Sequence, residues 1–316
     1  MSSIKLQTLY SKFMITLLTL QLTIFILVAV GFLMKKIYII GPQGQKNIND
    51  LVIYLILPCN ILHAFTQSAA DGDFTNYLEI LLISIGIQVF CVIYGKLMFR
   101  GEAEGRYKCL QYGTICSNAG FLGNPIAEGI YGMEGLVLAS VYLIPQRIMM
   151  WSEGVSVFTE APTKKEMLKK IFTHPCIIAC EIGIVLMLTG WRPPHFLEET
   201  ITSVSNCNTA MSMLVIGMIL ADADPKTIID KDVLFYTFIR LLIIPFCVFI
   251  PCWLLHIDSL VMGVSVILAA MPAGATTTIL ASKYDCEEEF SVKLVVFSTA
   301  ASLITTPLWN MILLKF

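Results

Sequence analysis

The sequence carries little charge. Asp, Glu, Lys and Arg make up only 14% of its 316 residues, whereas an average soluble domain has roughly 25%. Hydrophobic residues account for 56% of the chain, and the mean hydropathy is +0.76. This balance excludes a soluble globular domain and predicts a multi-pass protein of the cell membrane, with the lipid bilayer rather than nucleic acid as its surroundings.

The motifs of common catalytic and cofactor sites are also missing. There is no GxxxxGK[ST] loop for ATP, no HExxH zinc motif and no GxSxG nucleophile motif. The four His residues are not at metal-ligand spacing, and the ten Cys residues include no CxxC pair. We therefore predict neither an enzyme nor a bound cofactor or metal. Coupling to a proton or sodium gradient stays open.

Long apolar segments dominate the chain instead. A spanning helix needs about 20 mostly apolar residues. The first apolar segment is longer than the ~7–15 residue core of a signal peptide, so it is counted as a span. By this measure the sequence predicts ten spans, at residues 13–34, 49–65, 77–97, 109–131, 135–158, 174–188, 201–220, 233–255, 260–281 and 290–314.

The cations are distributed unevenly between the two sides of these spans. Fifteen of the 21 Lys and Arg residues fall in the odd-numbered loops, four fall on the opposite side, and Arg147 and Arg240 lie inside spans. Because short cytoplasmic loops are enriched in Lys and Arg, the odd-numbered loops are predicted to be cytoplasmic and both termini extracytoplasmic.

The count of ten divides into two sets of five. We predict a first five-helix repeat at 1–158, a cytoplasmic linker at 159–172 and a second repeat at 173–316. Since five is odd, the second repeat starts on the opposite side of the membrane from the first, which is the arrangement of inverted-repeat transporters.

Two of the spans are interrupted by helix-breaking residues. The fourth contains SNAGFLGNP at 117–125, and the ninth contains MPAGATTT at 271–278. Backbone groups freed inside lipid must find internal partners or line a cavity. One break alone would indicate only a packing kink, because Gly and Pro are common in membrane helices. A matched pair predicts that the two breaks meet at a binding site.

The breaks also supply the candidate binding residues. Helices that restart inside the membrane present unpaired N–H groups with partial positive charge, which favour an anion. Thr276, like its two threonine neighbours, has the alternative of bonding back to its own helix. The predicted substrate-binding positions at the breaks are Asn118, Ala119, Gly120, Asn124, Pro272, Ala273, Gly274 and Thr276.

Arg147 lies in the middle of the fifth span. A cation there costs about 2.5–3.5 kcal/mol on insertion scales, so it is expected to face the bundle interior. It either binds an anionic substrate, because a guanidinium matches a carboxylate, or pairs internally with Glu153 or Glu128. Arg240, in the eighth span, is expected to extend its stem toward the cytoplasmic face.

Three residues are candidates for proton coupling. His63 titrates near neutral pH when unperturbed, although a lone His in an apolar helix is more often a packing residue. Glu153 and Glu181 are the acids deepest in the predicted spans. Each of them either carries a proton or pairs with an arginine.

These motifs resemble those of the auxin efflux carrier family, which includes plant PIN carriers and bacterial malate/malonate-type permeases. NAGFLGNP at 118–125, followed by Tyr131-Gly132, resembles the Asn-x4-Gly-x-Pro pattern of the family's fourth helix. The resemblance covers essentially the whole chain. Four further segments are similar to family motifs: Leu57-Pro58 with His63, Ile216-Gly217 with Leu220, Pro272 with Ala281-Ser-Lys-Tyr284, and Ser298-Thr299 with Thr306-Pro307.

The resemblance implies an all-α fold of ten transmembrane helices, arranged as a 5+5 inverted repeat with broken, crossing helices four and nine. Helices one, two, six and seven would form a scaffold, and the others a moving transport domain. Asn118 and Pro272 would lie at the centre of the site, with Asn60 on the scaffold side. No motif decides whether the scaffold helices form a homodimer.

The implied function is secondary transport of a small organic anion, such as malonate or malate, by elevator or rocking alternating access. The linker 159–172 is short, unlike the long loop of many plant members, so the bacterial permease branch is the nearer match. The alternative is a membrane sensor that keeps the transporter fold and moves no substrate.

Overall fold

The computed structural model describes residues 3–67, 74–158, 163–222 and 229–315. These ranges are helical, and no strand beyond one isolated bridge occurs in them. They contain the helices α1 Ser3–Lys36, α2 Pro42–Leu51, α3 Leu57–Gln67, α4 Phe74–Met98, α5 Glu104–Ile115, α6 Asn124–Met149, α7 Val155–Phe158, α8 Lys164–Phe172, α9 Pro175–Thr189, α10 His195–Ser205, α11 Asn208–Ala221, α12 Lys231–Phe238, α13 Ile244–Leu254, α14 Ser259–Ala269, α15 Thr276–Lys283 and α16 Glu288–Leu313.

Helix length and apolar composition identify the membrane-crossing part. Within the described ranges, six continuous helical segments are long and apolar enough to cross a bilayer: Pro42–Gln67, Thr75–Met98, Ala119–Phe158, His195–Ala221, Lys231–Leu254 and Glu288–Leu313. The helices α9 and α14 are also apolar but shorter. The prediction of an all-α, multi-pass integral membrane protein is therefore confirmed.

The segment Ala119–Phe158 is too long to be one straight span. It bends at Gly132, whose φ of 68° and ψ of −157° interrupt the helical geometry of α6. A residue with a side chain is strained in this region, whereas glycine adopts it freely. The bend lies where the predicted fourth and fifth spans meet.

The helices pack in two groups. In the first, α1 lies along α11, and α3 packs against α9 and α10. In the second, α6 packs against α4 and α14, and α16 packs against α12, α15 and α5. The helix α6 also contacts α3, so it joins the two groups. The predicted linker 159–172 lies partly outside the described residues, and its described part forms α8, which begins with a capping box between Thr163 and Glu166.

Two glycines let α1 and α11 approach closely. A Cβ built on Gly217 would lie 2.0 Å from the backbone oxygen of Val28, and one on Gly31 would lie 2.2 Å from that of Leu214. Small residues permit such close backbone packing between membrane helices, where van der Waals contact drives association. The pairing of α1 with α11 therefore requires residues without a side chain at positions 31 and 217.

We expect Gly217→Ala to lower the stability of the protein by about 1–3 kcal/mol, the usual cost of overpacking. The obstacle is backbone, so it moves only if the two helices separate. Thermal unfolding of the purified protein in detergent measures the effect. Gly86→Ala is the matched control, because a Cβ added at Gly86 would meet no described heavy atom within 4 Å. Equal stability of the two variants would show that α1 and α11 tolerate separation.

Candidate functional site

The residues that follow α5 and α14 meet each other. The N–H of Asn118 donates to the carbonyl of Pro272 at 2.8 Å, and the N–H of Gly274 donates to the carbonyl of Cys116 at 2.9 Å. These two bonds form an antiparallel bridge between Ser117 and Ala273. Backbone groups freed by the two breaks are thus satisfied by one another, as the absence of water in a bilayer requires.

Arg240 binds the backbone at the point where the two interrupted segments meet, which we call the junction. Its Nε donates to the carbonyl of Met271 at 2.9 Å, and its Nη1 donates to the carbonyl of Thr114 at 3.4 Å. Thr114 lies in the last turn of α5 and Met271 follows α14, so both carbonyls belong to helix C-termini with partial negative charge. The expectation that Arg240 extends toward the membrane surface is wrong: it is only 3% exposed, because these carbonyls supply its partners.

New helices begin on the opposite side of the same junction. The π-helical turn Ala119–Gly123 leads directly into α6, and α15 begins at Thr276. The first N–H groups of such helices have no partner within the helix and carry partial positive charge. Arg240 therefore contacts the negative helix ends and not the positive ends. At the start of α15, the N–H groups of Thr277 and Thr278 donate to the carbonyls of Gly274 and Ala275.

A cavity of about 120 Å³ lies beside these positive ends. Its described lining includes Arg147 and His174 but no Asp or Glu. A larger depression of about 300 Å³ between Tyr131 and Asn310 has no basic residue in its described lining. The smaller cavity is therefore the candidate anion site; it is lined by Asn49, Ile53, Leu57, Ser117, Asn118, Gly120, Phe121, Leu143, Gln146, Arg147, Met150, His174, Cys176, Gly274, Ala275, Thr276 and Ile279.

Arg147 is 7% exposed, and its Nη1 has no hydrogen-bond partner among the described residues. The carboxylates that could have paired with it are engaged elsewhere: Glu153 forms an ion pair with Lys96, and Glu128 accepts a hydrogen bond from Asn60. An unpaired buried donor costs about 1–3 kcal/mol. A ligand oxygen in the cavity would remove this cost.

Gln146 ties the fifth predicted span to the first break. Its Nε2 donates to the carbonyl of Ser117 at 2.8 Å, and its Oε1 accepts from the Ser117 hydroxyl at 2.9 Å. This pair of hydrogen bonds holds the neighbouring Arg147 beside the junction. Sequence reasoning missed Gln146, Ser117 and His174 as cavity residues. A polar pair Gln-Arg inside an apolar span was the available signal for the first.

The predicted binding residues divide into three groups. Ala119, Asn124, Pro272 and Ala273 are buried but do not line the cavity. Asn60 lies in a separate polar cluster with Glu128, Ser205 and Asn208. The alternative that a threonine bonds back to its own helix is seen at Thr278, whose hydroxyl donates to the carbonyl of Ala275 at 2.7 Å. Those that line the cavity are Asn118, Gly120, Arg147, Gly274 and Thr276.

The three predicted proton-coupling residues lie outside the cavity lining. His63 is buried, with its Nδ1 3.1 Å from the hydroxyl of Thr202. Glu153 is held by Lys96. Glu181 is exposed on α9. The structure brings none of them to Arg147.

Comparison with known proteins identifies the family of this chain. The sequence profile of the family described as "Membrane transport protein" matches residues 16–167 and 158–310. The chain is 24% identical to the uncharacterised transporter MJ1031 of Methanocaldococcus jannaschii, over 93% of this chain and 98% of the relative. It is 20% identical to a Rhizobium meliloti protein named "Putative malonate transporter" (90% and 92% covered) and 23% identical to auxin efflux carrier component 8 of Arabidopsis thaliana (90% and 93%).

The resemblance to the auxin efflux carriers is thereby confirmed over nearly the whole length. The named relatives are transporters, not enzymes. The matched profile covers both interrupted segments and the cavity that they line. The chain therefore belongs to the membrane transport protein family that includes the auxin efflux carriers, and it is a multi-pass membrane transporter.

Proposed function

We propose that this protein is a secondary transporter of small organic anions, with its substrate site in the cavity beside the two breaks. The observation that carries the proposal is Arg147, a buried cation whose Nη1 has no partner among the described residues, in a cavity whose described lining holds no acid. A guanidinium binds a carboxylate through two parallel hydrogen bonds. The adjacent helix N-termini favour the same charge.

The cavity favours a short mono- or dicarboxylate. The lining includes six large apolar side chains: Ile53, Leu57, Phe121, Leu143, Met150 and Ile279. The volume of about 120 Å³ is sufficient for a small carboxylate. The printed name of the Rhizobium relative supports malonate as a test substrate, and malate is the next larger candidate.

The transport mechanism that we propose is alternating access by an elevator or rocking movement. The ten spans form a 5+5 inverted repeat, 1–158 and 173–316, whose fourth and ninth helices cross at the junction of Asn118 with Pro272. The helices α1, α3, α9, α10 and α11 serve as scaffold. The packing of α6 with α4 and α14 supports a second body that moves as a unit.

The predicted topology indicates the side of the membrane to which the cavity opens. Asn49, Met150, His174 and Ile279 lie on the cytoplasmic halves of their predicted spans, and all four line the cavity. We therefore infer that the cavity opens toward the cytoplasm and that both termini are extracytoplasmic. The energy comes from an ion gradient, because the chain has no ATP-binding motif.

Uptake into proteoliposomes tests the proposal. Radiolabelled malonate and malate are supplied to wild type, Asn118→Ala and the control Asn206→Ala, whose side chain is exposed. Loss of one ligand hydrogen bond of about 1.5 kcal/mol lowers the affinity roughly tenfold. We expect saturable uptake in all three proteins. The affinity for the acid should fall about tenfold in Asn118→Ala and stay at the wild-type value in Asn206→Ala.

The Asn118→Ala change keeps the backbone bond to Pro272, so the junction itself is preserved. Uptake by Asn118→Ala with wild-type affinity would show that the site lies elsewhere. Calorimetric binding of either acid without flux would identify a sensor that keeps the transporter fold.

A further inference from the structure

A second buried polar cluster lies away from the cavity. It joins four helices through Asn60 of α3, Glu128 of α6, Ser205 of α10 and Asn208 of α11. Asn60, Ser205 and Asn208 are almost completely buried. Glu128 is the member contributed by the helix that continues the first break.

The hydrogen bonds of this cluster run in one direction. Ser212 donates to Asn208 Oδ1 at 3.3 Å, and Asn208 Nδ2 donates to Asn60 Oδ1 at 3.1 Å. Asn60 Nδ2 then donates to Ser205 Oγ at 3.1 Å and to Glu128 Oε2 at 3.2 Å. Asn60 thus uses both its N–H groups and its carbonyl, and the chain of donors ends at the Glu128 carboxyl.

Glu128 has no cationic partner among the described residues. A carboxylate within a membrane span is costly unless it is paired or neutralised. Asn124, one helical turn earlier on the same face of α6, is fully buried, and neither its Oδ1 nor its Nδ2 has a hydrogen-bond partner in the described part of the chain. This stretch of α6 therefore presents a carboxyl and an unsatisfied amide side by side.

The titratable groups of the surrounding helices are engaged or exposed. On α3, His63 contacts Thr202, and on α10, Glu198 accepts from Gln67. Glu134 of α6 is exposed, and α11 has no acidic or basic side chain. The helix α1 passes Gly129 at Leu20, and its side chains before residue 19 lie outside the described part.

We propose that Glu128 is a proton-binding site that couples transport to a proton gradient, which rests on the proposed transport function. Asn60 donates one N–H to Glu128 Oε2, which suits a carboxyl oxygen rather than a cation. Sodium sites in transporters are instead built from oxygen ligands. The proton adds to Glu128 Oε1, for which the described residues supply no hydrogen-bond donor, and no covalent bond breaks.

The position of the cluster links proton binding at Glu128 to the movement of the two helix groups relative to each other. Asn60, Glu128 and Ser205 lie on the extracytoplasmic halves of their predicted spans, opposite to the cavity mouth. The bond from Asn60 to Glu128 joins the α3 group to the α6 group, so it must break when these groups move apart. Protonation removes the charge that strengthens this bond. A proton from the extracytoplasmic side thereby weakens the contact that holds the two groups of helices together on that side.

Glu128→Gln tests the proposal in proteoliposomes with radiolabelled malonate, and Glu134→Gln is the control on the same helix. Glutamine imitates the permanently protonated carboxyl. We expect Glu128→Gln to retain malonate exchange but to lose accumulation driven by an inward proton gradient, whereas Glu134→Gln behaves as wild type. Proton-driven accumulation by Glu128→Gln at the wild-type level overturns the proposal. Accumulation that follows a sodium gradient and is lost in Glu128→Gln also overturns it.

An infrared measurement separates this inference from the proposed function. In lipid, the difference spectrum of full-length wild type minus Glu128→Gln should show a protonated-carboxyl C=O band at low pH that disappears as the pH rises. The same band should remain when Glu134→Gln or Glu128→Asp takes the place of wild type in this difference. Identical carboxyl spectra for wild type and Glu128→Gln overturn proton binding, whatever the uptake result. Absence of malonate exchange in wild type, with the band present, counts against malonate transport alone.

Discussion

Replacing Arg147 by Gln is expected to weaken the binding of malonate or malate by about 10- to 150-fold and to leave thermal stability nearly unchanged. Hydrogen bonds to charged groups contribute about 1.5–3 kcal/mol, and each 1.4 kcal/mol corresponds to about tenfold in Kd. Stability changes little because Glu153 and Glu128, the acids expected to pair with Arg147, are bonded elsewhere. Calorimetric titration of the purified protein gives the Kd.

Two further variants define what the guanidinium contributes. Arg147→Lys keeps the charge but loses the planar fork that binds a carboxylate through two bonds, so we expect an intermediate Kd. Arg192→Gln, at an exposed position, should bind as wild type. An unchanged Kd in Arg147→Gln would remove Arg147 from the substrate site. A large drop in its melting temperature would show that the cation serves the fold.

Replacing Arg240 by Met is expected to lower the stability by about 2–6 kcal/mol. Methionine retains an unbranched stem but leaves the carbonyls of Met271 and Thr114 without their donor. Each buried carbonyl left unpaired costs about 1–3 kcal/mol. Because both carbonyls belong to the junction, substrate binding should be lost together with stability. Thermal unfolding in detergent is the measurement.

Arg100→Met is the matched control, since Arg100 is exposed and surface changes stay within about 0.5 kcal/mol. The two buried arginines then differ in their effects. Arg147→Gln should lose substrate binding and keep its stability, whereas Arg240→Met should lose both. An Arg240→Met protein as stable as wild type would show that other groups satisfy these carbonyls.

Several properties of this protein follow from local sequence. Low charge and long apolar runs determine a helical membrane protein, because only segments with internally satisfied backbone groups cross a bilayer. The clustered Asn, Gly and Pro residues at 117–125 and 271–278 identify the helix breaks, because Pro has no N–H for the helical bond ladder and Gly and Asn have low helix propensity. The same residues carry the resemblance that identified the family.

Local pattern did not distinguish the roles of the two arginines inside spans. Arg147 and Arg240 both lie among apolar residues, yet one lines the cavity and the other caps two helix ends. The difference comes from the partners: Met271 lies 31 residues after Arg240, and Thr114 lies 126 residues before it. No helical periodicity encodes contacts at such separations.

The same reason explains Asn60 and Glu128. The resemblance places Asn60 at the substrate site, and the sequence suggests Glu128 only as a partner of Arg147. The fold bonds them to each other across 68 residues, and bonds Asn60 to Asn208 across 148. The sequence by itself therefore determined the membrane class, the helix breaks and the family. Only the packing of distant helices decided which buried polar groups meet, because each hydrogen bond requires a partner that local sequence does not specify.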